Sequence, residues 1–238
     1  MSVLMVDVGG SNVKIMAAHD GEMRKLESHR KLSAQEMVDG VLALVGDWEF
    51  DKISIGFPGL VRDGKPAREP LNLGEGWVDF DYSKAFGDKP VRFINDAAMQ
   101  ALGNYRSGRL LFLGLGTSTG TTVIVDDAVI PIEIGMLKLT RKSRFMDLLS
   151  KEALKADGAE VWVKSAHEAV AMLQNVFNPD VTVLGGGNAR RLDPQPENCI
   201  LVDNRSAYVG ARRLWEDADL YASAGPTSWR IHHNEAHK

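Results

Sequence analysis

Cysteine appears once in the 238 residues, at Cys199. That excludes an internal disulfide framework and any multi-cysteine zinc site. An excess of positive charge is also missing. The 28 Lys plus Arg against 32 Asp plus Glu leave a net charge of −4, so no broad basic field exists for duplex nucleic acid and no nucleic-acid partner is expected. No apolar run approaches the length of a membrane span, and the opening MSVLMVDVGG has neither a basic n-region nor a small-residue cleavage site. The expectation is a soluble, cytoplasmic protein with no membrane partner. What is present, 44% hydrophobic and 25% charged residues, is ordinary for a globular chain. The length suits one large domain or two modest lobes.

The strand pattern repeats. Val3 to Val8 is an apolar run that stops at Gly9-Gly10-Ser11-Asn12 and resumes over Val13 to Ala18. Asp20-Gly21 signals a hairpin, and a third strand covers Glu22 to His29. Ser33 with Glu36 three residues on reads as a capping box for a helix to about Val45. A strand over Lys52 to Ile55 then closes in Gly56-Phe57-Pro58-Gly59. In the second half, Leu110 to Leu115 ends in Gly116-Thr117-Ser118-Thr119-Gly120, and Thr121 to Val125 turns at Asp126-Asp127 into Val129 to Ile134. Helices over Ser143 to Ala156 and Glu160 to Phe177 precede a strand, Val181 to Leu184, that closes in Gly185-Gly186-Gly187-Asn188. Two units with the same order of strands and glycine turns argue for two similar α/β lobes. The lobes are expected at 1–108 and 109–238, dividing near Arg106-Ser107-Gly108, with a frayed tail from about Pro226.

Glycine turns rich in Ser and Thr can bring backbone N–H groups together as an anion nest. Two of them, at matching places in two lobes, suggest a phosphate chain clamped across a cleft. Neither is a G-x-x-x-x-G-K-[ST] loop, and GLGTSTG misses G-x-G-x-x-G by one residue, which disfavours a dinucleotide site. Asp7, at the end of the first strand, can hold a Mg2+ that bridges phosphate oxygens through water, and Lys14 can meet phosphate charge. In VRFINDAAMQALG an apolar strand ends in Asn95-Asp96 and an alanine-rich helix follows. Asp96 there can cap the helix, take a proton from a substrate, or do both.

With these pieces in place the sequence resembles the ROK family of sugar kinases, within the actin-like/hexokinase/Hsp70 ATPase superfamily, and its short polyphosphate-glucokinase-like branch in particular. The motifs that carry the likeness, in order, are VDVGGSNVK, GFPG, NLGEGW, IND, GLGTSTGTT and LGGGN. The resemblance implies an α/β fold of two actin-like (ribonuclease H-like) lobes, each a mixed sheet flanked by helices, with an interlobe cleft. It implies transfer of a terminal phosphoryl group from ATP or polyphosphate, with Mg2+ and without zinc, to the 6-hydroxyl of glucose or a related hexose or cyclitol. Asp96 would be the general base. Asn95, Gly59, Asn72 and Glu133 would line the sugar pocket. Gly9, Gly10, Ser11 and Asn12 would face the terminal phosphate, Gly116, Thr117, Ser118, Thr119 and Gly120 the other phosphates, and Gly186, Gly187 and Asn188 the nucleotide side. Related kinases are commonly dimers, so a homodimer is expected.

One position departs from the family pattern. Where its second sugar motif reads Glu-x-Gly-His, this chain has Glu133-Ile134-Gly135-Met136. Methionine cannot donate to a hydroxyl. Met136 can therefore face a sugar lacking or inverting a hydroxyl or a cyclitol, mark an inactive sugar- or nucleotide-binding protein, or be a core residue. The stretch LKLTRKSRFMDLL contains no zinc-binding Cys or His, as in the short branch. Arg141, Lys142 and Arg144 are candidates for a polyphosphate path, or simply a solvated face. His232, His233 and His237 resemble a metal cluster in composition alone. A repressor of the same family would carry a helix-turn-helix ahead of the first loop, and this chain begins at that loop. A different actin-like ATPase would leave NLGEGW and IND without a role.

Overall fold

The strand Val3–Val8 (β1) is buried along its whole length, a state that requires both faces of its sheet to be covered. Asn12–Ala17 (β2) and Met23–Glu27 (β3) follow as antiparallel neighbours. The helix Ala34–Val45 (α1) starts on the expected capping box of Ser33 and Glu36. Lys52–Phe57 (β4) then returns parallel to β1. A small hairpin, Val61–Arg62 (β5) with Lys65–Pro66 (β6), and the short helix Tyr82–Ala85 (α2) lead to Val91–Asn95 (β7), parallel to β4. The first sheet has the order β3-β2-β1-β4-β7. The computed structural model describes residues 2–17, 21–203, 205–217 and 229–232. Asp20 of the expected hairpin, His233, His237 and residues 226–228 and 233–238 of the expected frayed tail lie outside them; 229–232 of that tail are not frayed, since Trp229 is buried and pairs with Val129.

The helix Asp96–Asn104 (α3) leads into the second lobe. There Arg109–Leu115 (β8), Thr119–Val125 (β9) and Ala128–Ile132 (β10) form an antiparallel meander. Asp126 and Asp127 make its second turn at φ of 47° and 65°, the left-handed conformation that a two-residue hairpin loop requires. Three helices follow: Phe145–Leu149 (α4), Lys151–Asp157 (α5) and Ala159–Phe177 (α6). The single helix expected over 143–156 is thus two, broken at Ser150, whose hydroxyl accepts from Ala153 N and starts α5. Val181–Gly185 (β11) and Cys199–Leu201 (β12) pair in parallel beyond β8. The helix Arg205–Glu216 (α7) and the strand Trp229–Arg230 (β13) complete the described chain. The second sheet runs β12-β11-β8-β9-β10-β13. Without β13, both sheets place their third, second, first, fourth and fifth strands in that order, so the sequence repeat is a repeat of topology.

The strand β7 belongs to the first sheet and β8 to the second. The helix α7, although it belongs to the second half of the chain, packs with α3 against the first sheet. Ser54 Oγ of β4 donates to Ala211 O at 2.7 Å, and Trp215 Nε1 donates to Ser54 Oγ at 2.8 Å. The α3–α7 crossing is made by backbone approach. A Cβ on Gly103 would stand 1.9 Å from Ser206 O, and one on Gly210 1.8 Å from Met99 O. The strand β8 divides the core by alternation. Leu110 and Phe112 face the first cluster, which includes α3, α7 and the first sheet, while Leu111, Leu113 and Leu115 face the cluster around Trp162 of α6. Among the described residues no helix is long and apolar enough to cross a membrane. The α3–α7 layer between the two sheets places the head of α3, Asp96, at the interlobe cleft.

Candidate active site

Three loops meet at the cleft. The first, Gly9–Asn12, is closed by Gly9 N donating to Asn12 O at 3.0 Å and is tied down by Ser28, whose Oγ donates to Gly9 O at 2.6 Å. The second, Gly116–Ser118, touches it directly, with Ser11 Oγ and Thr117 Oγ1 3.0 Å apart. A Cβ on Gly10 would lie 3.4 Å from Thr117 Cγ2 and 3.9 Å from Asn72 Cβ, so the NLGEGW loop arrives at the same point. The third, Gly186–Asn188, packs on the second through Asn188 N donating to Leu115 O at 3.0 Å. Gly186 has φ +84°, and a Cβ there would be 2.4 Å from Leu115 O, so a side chain would push the two loops apart.

Asn95 and Asp96 divide two tasks between them. The helix cap is Asn95, not Asp96: its Oδ1 accepts from Ala98 N at 3.1 Å, and its Nδ2 donates to Gly59 O at 3.3 Å. Asp96 is the first residue of α3, and its Oδ1 accepts from Ala97 N at 2.8 Å. Burial pushes its carboxyl up to about 7, and the negative charges of Asp7 and Glu133 add to that rise against the Ala97 N–H. Asp7 is itself raised by burial, opposed by Lys14. It faces Lys14 as its cross-strand neighbour, with Nζ and Oδ2 3.5 Å apart. Burial also raises Glu133. Three carboxylates thus converge on one cleft, and the one at the helix head is held near neutrality.

Two adjoining cavities share the wall formed by Gly10, Asp96, Thr117, Ser118 and Gly120. The first is bounded by Asn72, Asn95, Thr119, Glu133 and Met136, of the residues expected at the sugar and phosphates, together with Pro58, Leu71, Leu73, Gly135 and Met146. The second holds Asp7, Gly9, Ser11, Asn12 and Lys14 from one lobe and Gly116, Gly186, Gly187 and Asn188 from the other. Thr119, expected among the phosphate residues, lies on the first cavity and not the second. Gly59 lines neither cavity and enters through its carbonyl bond to Asn95. Met136 is 52% exposed, which removes the reading of it as a core residue. Ile134 fills the core instead. Arg144 is bound to Asp147 through Nε and Nη2.

Sequence reasoning missed Gln100, Phe112 and Lys151 of the second cavity and Leu71, Leu73 and Met146 of the first. Gln100 stands four residues after Asp96 on the same helix face, a spacing that could have found it. Lys151 arrives because α4 breaks from α5 at Ser150, with Lys151 N donating to Gly116 O at 2.9 Å. No local pattern announces that. Among the described residues no group of three or more His, Cys, Asp or Glu is placed to hold a metal ion.

No family model matches the chain. Comparison with solved structures gives the fold, a two-lobed α/β arrangement shared with ROK family kinases. The chain superposes on the inorganic polyphosphate/ATP-glucomannokinase of Arthrobacter sp. strain KM with a TM-score of 0.75, at 22% identity, covering 88% of this chain and 96% of that one. It superposes on a ROK family glucokinase from Streptomyces griseus, solved with glucose and AMPPNP, with a TM-score of 0.71, at 18% identity, covering 90% and 99%. In sequence the chain is similar to the polyphosphate glucokinase of Mycobacterium leprae (strain TN). That likeness is 24% identity over 226 residues, 87% of this chain and 68% of that protein. The resemblance to ROK sugar kinases read from the motifs therefore holds across nearly the whole chain.

Proposed function

We propose that this chain is a sugar kinase that transfers the terminal phosphoryl group of ATP or polyphosphate to a hydroxyl of glucose or a related hexose. Its acceptor would occupy the first cavity and its donor the second. The observation that carries this reading is the position of Asp96 on the wall common to both cavities. With Oδ1 engaged by Ala97 N, Oδ2 is left to accept the hydroxyl proton. As that proton leaves, the sugar oxygen bonds to the terminal phosphorus and the bridging P–O bond breaks. ADP or a polyphosphate shortened by one unit departs, and the proton remains on Asp96. A carboxyl near neutrality suits a general base at physiological pH, a role worth ~10²–10⁴-fold. The glycine loops and Lys14 would hold phosphate charge, and positioning with charge stabilisation is most of phosphoryl-transfer catalysis.

The residues present fit Mg2+. Asp7 is a hard oxygen donor in the donor cavity, and Mg2+ is commonly held by one or two carboxylates, water and substrate phosphates. Asp7 would hold the ion through water, and the ion would neutralise phosphate charge. The place of Asp96 on the wall common to both cavities, where acceptor and donor would meet, supports catalysis over binding alone. The test is incubation of pure protein with Mg2+, either donor and a panel of hexoses, amino sugars and cyclitols, with Asp96→Ala in parallel. A sugar phosphate that forms with the parent protein and not with the variant is expected. Equal turnover in both would remove Asp96 from its role.

A further inference from the structure

The segment 70–76 brings Leu71, Asn72 and Leu73 to the acceptor cavity, yet it belongs to no helix or strand. Among the described residues its one backbone hydrogen bond is Gly74 N donating to Leu32 O at 3.0 Å. With so few internal ties, the place of Asn72 is set by the ends of the segment. Asn72 is its one cavity side chain that can both donate to and accept from a hydroxyl.

The two ends are joined by one side chain. Trp77 N donates to both carboxylate oxygens of Glu69, at 3.2 and 3.1 Å, and Val78 N donates to Oε1 at 3.1 Å. Hydrogen bonds from N–H groups to an ionised carboxylate are the strong kind. The Trp77 end is a fixed point. Its side chain is fully buried, its Nε1 donates to Leu32 O at 3.2 Å, and its carbonyl accepts from the Tyr82 hydroxyl at 2.9 Å. Its ring lies 5.7 Å from that of Phe57, the residue before Pro58 and Gly59 of the neighbouring loop. Glu69 itself lines neither cavity, so it can act on a substrate only through the segment it closes.

We infer that Glu69 is a positioning residue for the acceptor: its carboxylate closes the 70–76 segment onto Trp77 and so holds the Asn72 amide where a sugar hydroxyl meets it. This rests on the kinase reading for the identity of the acceptor and on the closed segment for the role of Glu69. Glu69→Ala and Glu69→Gln are compared with the parent protein in steady-state kinetics, and in binding of glucose and mannose by calorimetry without donor. Glu69→Ala is expected to raise the acceptor KM and Kd about tenfold, the lower end of what a hydrogen bond to a charged group is worth. Its kcat and donor KM should stay nearly unchanged, the pattern of lost uniform binding. Glu69→Gln keeps one oxygen for the Trp77 and Val78 N–H groups and is expected to recover most of the loss. In an Asn72→Ala background the effect of Glu69→Ala is expected to vanish, because both substitutions remove the same contact with the sugar. Amide hydrogen exchange in Glu69→Ala should rise over 70–78 above the rest of the chain. An unchanged acceptor KM and Kd, a loss that multiplies with that of Asn72→Ala, or exchange that does not rise over 70–78 would overturn the inference. The same loss in Kd with no turnover from either donor would sink the kinase reading alone.

Discussion

Replacing Asp96 with Asn is expected to remove activity and raise stability together. The carboxyl titrates near 7 in the fold against an ordinary 3.8, chiefly because it is buried and then because Asp7 lies close. A group whose folded-state value is raised contributes stability that is fully present below its unfolded value. That stability is lost as pH rises through about 7. The shift of about three units, at 1.36 kcal/mol each, sets a ceiling of about 4 kcal/mol on the penalty of the ionised form at pH 8. The cleft is open to solvent, which reduces this to about 1–3 kcal/mol. Asn is neutral, nearly isosteric and keeps an oxygen for the Ala97 N–H. The variant should therefore melt higher at pH 8, by about 4–8 °C for a gain of about 2 kcal/mol in a chain of this size. The gap should narrow steadily toward pH 5. Activity should fall by ~10²–10⁴-fold. Thermal melts of both proteins from pH 5 to 8, paired with initial rates, test both halves. A variant that melts at or below the parent at pH 8, or a gap that does not change with pH, would refute the electrostatic reasoning.

Other perturbations probe separate parts of the structure. The acid limb of kcat/KM against pH should fall near 7, rate rising with pH as Asp96 ionises, and Glu133→Gln should move that limb down by a fraction of a unit because one like charge is gone. Gly210→Ala gains helix propensity yet places a Cβ 1.8 Å from Met99 O. Denaturant unfolding should show a net loss of about 1–3 kcal/mol or more. Lys151→Ala should raise the donor KM several-fold and leave the acceptor KM nearly unchanged, since Lys151 lines the donor cavity alone.

The parts legible in the sequence are those whose chemistry is local. Glycine with Ser and Thr at a strand end makes a turn wherever it occurs, so all three loops could be placed. The Ser33–Glu36 capping box fell where expected because both partners lie within one helical turn. The pairing of Asn95 with Asp96 was visible, but their division of labour was not. Either side chain can cap a helix, and only the backbone angles at the junction assign the cap to Asn95. Met136 was visible as a departure. Its exposure depends on a short turn packed by Ile134, and no residue pattern states that.

The sequence by itself determined two α/β units of like order, glycine loops at matching strand ends, and an acidic residue heading the helix after β7. These follow from periodicity and turn chemistry within a few residues of each position. The tertiary structure alone decided which surfaces meet. It drew α7 back to cross α3 at Gly103 and Gly210, set Asp96 between two cavities and brought Lys151 to one of them. The reason is that backbone approach, desolvation and like-charge proximity arise between residues far apart in the chain, where no local pattern records them.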